Sequence, residues 1–169
     1  QVAEHTFYID FIIDSAQGQE TWSGDCCLLA VGVVGNSDGL GLEEVGIKTE
    51  RGFIDVDSYM QTNLPHHYAI GDVAGPPWLA HVASHEGMVA ASNAMDIKPA
   101  INMDYNAVPS AIFTIPEIAN VGLTEVSAKN QGFDAISSSV NFRILGKAHA
   151  IGEIAGEAKI VADAKTGKV

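Results

Sequence analysis

Basic residues are scarce in this chain. Among its 169 residues, 9 Lys and Arg stand against 21 Asp and Glu, and the formal net charge is −12. A nucleic-acid backbone needs Lys and Arg to displace its counterions, and the few cations here are dispersed along the sequence. The composition therefore argues against nucleic-acid binding, and it fits a protein with small-molecule ligands or basic protein partners.

Long apolar runs are absent as well. No apolar stretch approaches the roughly 20 residues that a membrane-spanning helix needs. The amino terminus also lacks a basic region followed by an apolar core. We therefore expect neither a membrane segment nor a signal peptide.

Cysteine is limited to one adjacent pair, Cys26 and Cys27. A disulfide framework needs spaced pairs, so the two thiols are interpreted as small core hydrophobes, with a redox pair as the less favoured alternative. They open the run 26–31, whose apolar composition predicts a strand buried on both faces. A reducing, cytosol-like compartment fits this use of cysteine.

The remaining pattern is a succession of short elements, in a chain long enough for one domain or two small ones. An early hairpin is predicted from the apolar run 8–13, the polar turn region 14–24 and the following strand 26–31. Later elements follow from periodicity, glycines and caps. They are a helical turn at 40–45 closed by Gly46, a strand at 52–57, a helix at 79–95 rich in small residues, strands at 109–114 and 118–122, a helix at 124–132 capped by Thr124, strands at 140–144 and 158–163, and a turn at 164–167.

The segment Thr62–Asp72, followed by Pro76–His81, carries the clearest functional signal. It predicts a turn, a short buried strand, a carboxylate at the end of that strand and then the start of a helix, as in the ligand sites of open α/β sheets. Gly71 lets a ligand approach the backbone, Asp72 can accept hydrogen bonds from hydroxyl groups, and the helix aims its positive amino end at the same ligand. From spacing alone, a turn aspartate is an equally good interpretation of Asp72. The segment thus predicts half of a nucleotide-type cofactor site.

Other constellations give weaker signals. His81 and His85 have a metal-ligand spacing, but no third ligand lies at a recognisable distance, so a histidine pair without metal is favoured. Asp55 and Asp57 resemble the start of a calcium loop whose later ligands do not follow. The glycines at 39–41 do not form a dinucleotide loop. No nucleophile and base can be paired from sequence order.

Several short motifs, taken in order, point to a family. They are Leu29–Gly32, Tyr68–Asp72, Leu79–His81, Val108–Ser110 and Val121–Glu125. In this order and spacing, from about Gly24 to Val169, they resemble the dihydrolipoamide dehydrogenases of the pyridine nucleotide-disulfide reductase family.

The resemblance implies an α/β fold with partial FAD- and NAD-binding (Rossmann-like) domains, followed by the start of an α+β dimerisation domain. Residues 1–46 are expected to end the NAD-binding domain and residues 47–106 to form the returning FAD-binding segment. Residues 107–169 are expected to begin the interface domain, which forms a homodimer in this family.

The same resemblance implies cofactor contacts. Asp72 is implied to bind the ribityl chain of FAD, and Gly32 to let NAD approach the backbone. The residues implied to lie along the flavin ring are Trp78, Leu79, Ala80 and His81. Trp78 stands where methionine is common in the family, and Val33 stands where arginine is common.

The family reaction is the oxidation of dihydrolipoyl groups by NAD through FAD and a redox disulfide. The resemblance implies lipoyl domains of 2-oxoacid dehydrogenase complexes as partners, and a bacterial cytoplasmic or mitochondrial matrix location. Its redox cysteines and both glycine-rich loops are expected before Gln1, and its acid–base His-Glu pair after Val169. No catalytic residue is therefore assigned here, and we expect a carboxyl-side fragment that is inactive alone. The alternatives are a related reductase of glutathione or mercuric ion, and a non-catalytic FAD-binding or assembly module.

Overall fold

The computed structural model describes residues 8–169 and divides the chain into two compact units, Gln1–Val34 and Gly35–Val169. In the first unit, β1 (Ile9–Ser15) and β2 (Gly18–Gly24) form an antiparallel hairpin over seven residues each. A hairpin is present as predicted, but its arms are not the predicted ones: the second arm is β2, inside the region 14–24 that was expected to be the turn, and not the run 26–31. Cross-strand side-chain hydrogen bonds, from Gln19 to Asp14 and from Ser23 to Asp10, hold this polar arm in the ladder.

Trp22 lies in β2 opposite Phe11 and is 62% exposed. Its indole N–H donates to Oε2 of Glu20 over 3.1 Å. The indole therefore lies at the surface of the hairpin, with its polar atom paired.

The predicted buried strand at 26–31 is wrong. This run forms no ladder with any described residue, and Leu28 and Leu29 are 89% and 79% exposed. A strand that is buried on both faces needs neighbouring strands and covering helices, and the described residues of this unit supply only the hairpin. Both cysteines are free and exposed, so their interpretation as core residues is also wrong.

The second unit begins with a helical turn and a short hairpin, and its longest helix follows. The first part contains α1 (Leu42–Val45), β3 (Thr49–Glu50), β4 (Phe53–Ile54) and α2 (Ala80–Ala94). The second part contains β5 (Ser110–Ile112), β6 (Ile118–Asn120), α3 (Glu125–Asn130), β7 (Ala135–Asn141), α4 (Gly146–Ile151) and β8 (Glu157–Asp163). The pairs β3–β4, β5–β6 and β7–β8 are separate antiparallel ribbons. None of the helices described at residues 8–169 is long and apolar enough to cross a membrane.

Most predicted elements of this unit are confirmed, and their caps explain where they begin and end. Gly46 closes α1 with φ 81°, a left-handed conformation that glycine adopts without strain. The Thr124 hydroxyl accepts the backbone N–H of Ser127 over 3.1 Å and starts α3 as predicted. The turn at 164–167 is also present, closed by a hydrogen bond from Asp163 N–H to Lys168 O of 2.9 Å.

In the later part of this unit, two elements differ from the prediction. The predicted strand at 140–144 is wrong, because β7 ends at Asn141 and residues 142–144 form a 3-10 turn. The Asn141 side chain accepts the N–H of Arg143, which favours the turn over an extended chain. The helix α4 was not predicted.

The core of the second unit contains two apolar clusters. One cluster contains Met60, Val82, Val89, Ala90 and Met103, and the other contains Ile47, Ile54 and Ala69. Val56 packs against both clusters. Burial of these side chains contributes roughly 25 cal/mol per Å² of apolar surface removed from water, and it fixes α2 against the segment that carries Asp72.

The backbones at Gly35 and Gly52 are in direct contact. A Cβ atom built at Gly35 would fall far inside van der Waals contact with the carbonyl oxygen of Gly52. The Gly35 N–H donates to Arg51 O over 3.2 Å, and the Ser37 hydroxyl donates to Gly52 O over 2.7 Å. Glycine is required here by space, since these hydrogen bonds hold the two backbones together.

The substitution Gly35→Ala is expected to destabilise the protein by roughly 2–3 kcal/mol, because its methyl group overpacks a backbone contact that cannot yield. The matched control is Gly146→Ala, since a Cβ at Gly146 meets nothing within 4 Å. Thermal unfolding followed by circular dichroism should give a lower midpoint for the first variant and an unchanged or slightly higher midpoint for the second. Equal midpoints for the two variants would contradict the contact.

Glu125 joins α3 to the β7–β8 ribbon. Its carboxylate lies 2.7 Å from Lys129 Nζ and 3.2 Å from Lys159 Nζ, and it accepts the Ser137 hydroxyl over 2.5 Å. The hydrogen bonds from Lys129, Ser137 and Lys159 lower the pKa of Glu125 to about 2 from its ordinary value of 4.5. A carboxyl group whose pKa is lower in the folded state stabilises that state above its unfolded pKa, and the contribution is lost as the pH falls through its folded pKa.

Glu125→Gln is therefore expected to lower the thermal midpoint at neutral pH, and its difference from the wild type should shrink as the pH falls from 4.5 towards 2. Glu153→Gln serves as the control, because Glu153 is exposed and its side chain makes no hydrogen bond to the described residues. A difference for Glu125→Gln that stays constant over this pH range would contradict the assigned pKa.

Candidate functional site

The turn that carries Asp72 packs directly on α2. Gly71 has φ 72°, and a Cβ there would lie 3.4 Å from the Cβ of Ala83. A Cβ at Gly87 would lie at the same distance from Cδ1 of Ile70. Small residues on both partners therefore allow the close approach.

Asp72 lies in a 3-10 turn, Gly71–Ala74, and its side chain is exposed. Within the part of the chain that the structure describes, its carboxylate accepts no hydrogen bond from the protein. The buried strand that was predicted before Asp72 is not formed. Ala69 is buried, but the described segment has only one isolated bridge, between Tyr68 and Gln61. The carboxylate is thus held on a fixed backbone with its oxygens open to a ligand.

The amino end of α2 is uncapped. Its N-cap residue, Leu79, makes no side-chain hydrogen bond to the helix, and the first intrahelical backbone bond runs from Ala83 N–H to Leu79 O. The backbone N–H groups of Ala80, His81 and Val82 therefore have no intrahelical acceptor. An electron-rich group would be stabilised there by these donors and by the helix dipole.

An aromatic stack precedes this helix end. The rings of Trp78 and Phe53 lie 5.9 Å apart at an interplanar angle of 19°. Trp78 keeps 44% of its surface exposed, so one part of the ring packs on β4 while the rest is free for a further contact.

The two helix histidines have separate environments. The imidazole of His81 lies with Nε2 2.8 Å from the carbonyl oxygen of Pro109, an acceptor that requires a proton on that nitrogen. His85 is exposed and makes no side-chain hydrogen bond to the described residues. Across residues 8–169 no three or more His, Cys, Asp or Glu side chains come together as metal ligands. The Asp57 carboxylate accepts the N–H groups of Tyr59 and Gln61, which is a turn arrangement.

The sequence prediction missed Glu86, which is 2% exposed in the middle of α2. One carboxylate oxygen accepts the Gly71 N–H over 2.7 Å, and the other accepts the Tyr105 hydroxyl over 2.7 Å. Burial of the phenol, followed by its hydrogen bond to Glu86 and the charge of that carboxylate, raises the pKa of Tyr105 well above its ordinary value. The hydroxyl therefore stays protonated and remains a donor at neutral pH.

A pattern signal for Glu86 does exist in the sequence. The buried residues of α2 are Val82, Glu86, Val89 and Ala90, with the spacing of a single helical face. A charged residue in such an apolar stripe is rarely buried without partners. Glu86 can thus be singled out as a residue that needs hydrogen-bond donors, although the sequence does not say which donors they are.

Gly32, the residue implied for NAD, lies in the first unit. It is exposed and has φ 102°, a conformation that residues with a side chain rarely adopt. A Cβ there would meet nothing within 4 Å. Glycine is therefore favoured at this position by its backbone conformation and not by crowding.

Two family models match most of the chain. The model of the pyridine nucleotide-disulphide oxidoreductases matches residues 12–87, and the model of their dimerisation domain matches residues 108–169. The chain belongs to the pyridine nucleotide-disulphide oxidoreductase family. This confirms the predicted family, which is a family of oxidoreductases that use FAD and NAD, and the predicted mixed helix and strand fold with the start of a dimerisation domain.

Individual relatives within this family carry more specific names. The chain is 49% identical over 138 residues to the dihydrolipoyl dehydrogenase of Chlamydia muridarum, which covers 81% of this chain and 29% of that protein. It is 40% identical over 168 residues to the dihydrolipoyl dehydrogenase of Chlorobaculum tepidum, which covers 99% of this chain and 35% of that protein. The chain thus spans about a third of the length of these relatives.

Two solved structures superpose on most of the chain. LpdA from Mycobacterium tuberculosis gives a TM-score of 0.81 at 30% identity, over 92% of this chain and 34% of that chain. RclA from Escherichia coli, described as an HOCl-induced flavoprotein disulfide reductase, gives a TM-score of 0.77 at 25% identity, over 92% of this chain and 36% of that chain.

The contrast between the two helix histidines can be measured. His81→Ala is expected to destabilise the protein by about 0.5–1.5 kcal/mol, because it removes the hydrogen bond to Pro109. His85→Ala should change stability by less than about 0.5 kcal/mol, as for an ordinary surface position. Thermal unfolding of both variants checks this pair, and an equal loss for both would contradict the role of His81.

Proposed function

We propose that this chain is part of a flavoprotein disulfide reductase that oxidises protein-bound dihydrolipoamide with NAD, through FAD and a redox disulfide. The observation that supports this most is the identity of 40–49% to dihydrolipoyl dehydrogenases over most of the chain. Because the chain spans about a third of those proteins, the activity is assigned to a longer parent. The 169 residues alone are expected to be inactive.

The groups around Asp72 fit the chemistry of FAD. An exposed carboxylate without a protein donor suits the hydroxyl groups of the ribityl chain, and the free N–H groups at the start of α2 suit the electron-rich pyrimidine edge of the flavin. When bound, FAD supplies two-electron transfer between a thiol pair and the nicotinamide. The helix end would stabilise negative charge on the reduced ring by roughly 0.3–2 kcal/mol.

Each proposed contact has a distinct task. Asp72 accepts hydrogen bonds from ribityl hydroxyls and so orients the cofactor. Trp78, supported by Phe53, would lie along the flavin and exclude water from it. The residues proposed to lie along the flavin are Trp78, Leu79, Ala80 and His81.

Further assignments concern the rest of the chain. Gly32 is proposed to let NAD approach the backbone in the unit 1–34. The proposed domain limits are 1–46 for the end of the NAD-binding domain, 47–106 for the FAD segment and 107–169 for the start of the interface domain. No residue of this chain is proposed to be catalytic, and neither Cys26 nor Cys27 is proposed as the redox cysteine.

We further propose that the parent is a homodimer, because the dimerisation-domain model matches residues 108–169. The lipoyl domains of 2-oxoacid dehydrogenase complexes are the proposed protein partners. A bacterial cytoplasmic location is favoured over the mitochondrial matrix, since the relatives named above are bacterial.

The full-length gene product is expected to be yellow and to form NADH from dihydrolipoamide. Asp72→Ala should weaken FAD retention by about fivefold or more, since two ribityl hydrogen bonds of about 0.5–1.5 kcal/mol each are lost. Asp38→Ala, an exposed aspartate without side-chain hydrogen bonds to the described residues, is the control. Absorbance at flavin wavelengths and NADH formation are the two readouts.

Other outcomes would favour the alternatives. Turnover of glutathione or mercuric ion without turnover of dihydrolipoamide would assign a related disulfide reductase, a class to which the neighbouring RclA structure belongs. Turnover by the 169 residues alone would contradict the fragment interpretation. FAD retention without any turnover would favour a binding or assembly module.

A further inference from the structure

Glu86 is the one charged side chain that is buried among residues 8–169. We propose that Glu86 is a positioning residue for the FAD site: it fixes the Gly71–Asp72 turn on α2 and, through Tyr105, ties that turn to the segment that leads into β5. This inference rests on the proposed function, because Asp72 is the group whose position matters to the cofactor.

The first step of the argument is the cost of the buried carboxylate. Glu86 lies on the same helix face as Val82 and Val89, which are 2% and 1% exposed. A charge in such surroundings is tolerated only when hydrogen bonds replace the lost water. Each of its two oxygens has one close donor, the Gly71 N–H and the Tyr105 hydroxyl, both at 2.7 Å. Moving either donor away would therefore leave a buried charge poorly paired.

The second step is the position of the first donor. The Gly71 N–H belongs to the residue directly before Asp72, and Gly71 has the left-handed φ of 72° that turns the chain. A charge-assisted hydrogen bond at this point fixes the peptide from which the Asp72 side chain departs. The neighbouring contacts of Ile70 with Gly87 and of Gly71 with Ala83 keep the turn on the helix, but only the bond to Glu86 is directional.

The third step is the connection to the dimerisation domain. Tyr105 begins a 3-10 turn, Tyr105–Ala107, four residues before Pro109. Pro109 O is itself bonded to the ring of His81 at the start of α2. The segment 105–109 therefore contacts α2 at two points, through Glu86 and through His81. A shift of this segment would be transmitted to the Gly71–Asp72 turn through the Glu86 carboxylate, which accepts a hydrogen bond from each of them.

The test uses the full-length gene product with its FAD removed, and measures the dissociation constant for added FAD by flavin fluorescence. Glu86→Leu removes both hydrogen bonds and is expected to weaken FAD binding by about tenfold or more. Glu86→Gln retains one acceptor for the Gly71 N–H and an amide donor for the Tyr105 oxygen. It should bind FAD within about threefold of the wild type. Circular dichroism and thermal unfolding of the FAD-free forms report whether each variant is folded.

Two tyrosines of nearly equal exposure give a matched pair of variants that leave the buried apolar residues unchanged. Tyr105 is 42% exposed and Tyr59 is 41% exposed, but only the Tyr105 hydroxyl has a hydrogen-bond partner in the described chain. Tyr105→Phe is expected to weaken FAD binding by about threefold to tenfold, while Tyr59→Phe leaves it unchanged. This pair decides the question if Glu86→Leu does not fold.

A double substitution separates positioning from general loosening. If Glu86 acts through Asp72, Glu86→Leu should add little further loss of FAD affinity in the Asp72→Ala background, so the two effects are not additive. Additive losses, or wild-type FAD binding by both Glu86→Leu and Tyr105→Phe, would overturn the positioning role while the proposed function stands. A wild-type full-length protein that binds no FAD would overturn the proposed function, and the positioning role with it.

Discussion

The carboxylate of Glu86 has to remain fully hydrogen-bonded inside an apolar core, and much of the second unit is arranged around that requirement. Its donors come from chain positions 71 and 105, on either side of α2 in the sequence. Glycine at 71 and Ala83 on the helix allow the approach, and the apolar residues around Met60 exclude water. The Gly71 N–H that this carboxylate accepts belongs to the residue directly before the exposed Asp72.

Local chemistry made part of this structure predictable. Gly46 and Thr124 are recognisable as helix caps from the sequence. The conformational freedom of the glycine and the hydroxyl group of the threonine both act on residues at most four positions away. The small-residue helix and the turn at Asp72 were predicted for the same reason: their signals lie in one continuous stretch. The family resemblance supplied the cofactor assignment, which spacing alone left open between a ligand site and a turn aspartate.

The errors have a common physical origin in contacts that are distant along the chain. An apolar run such as 26–31 becomes a buried strand only when neighbours cover both faces, and the sequence of the run does not say whether they do. The polar arm of the first hairpin is held by cross-strand side-chain pairs. The donors to Glu86 come from 15 and 19 residues away, so the residue could be suspected from its helix face but its partners could not be named.

The two tryptophans divide between the two units, and this gives the molecule a pair of optical labels. Trp22 lies on the hairpin of the first unit, while Trp78 stacks on Phe53 in the second unit. Replacing either one by phenylalanine leaves a single tryptophan, whose emission belongs to one unit. The intrinsic fluorescence of this protein can therefore be resolved unit by unit, without an added dye, and Trp78 emits from beside the position proposed for the flavin.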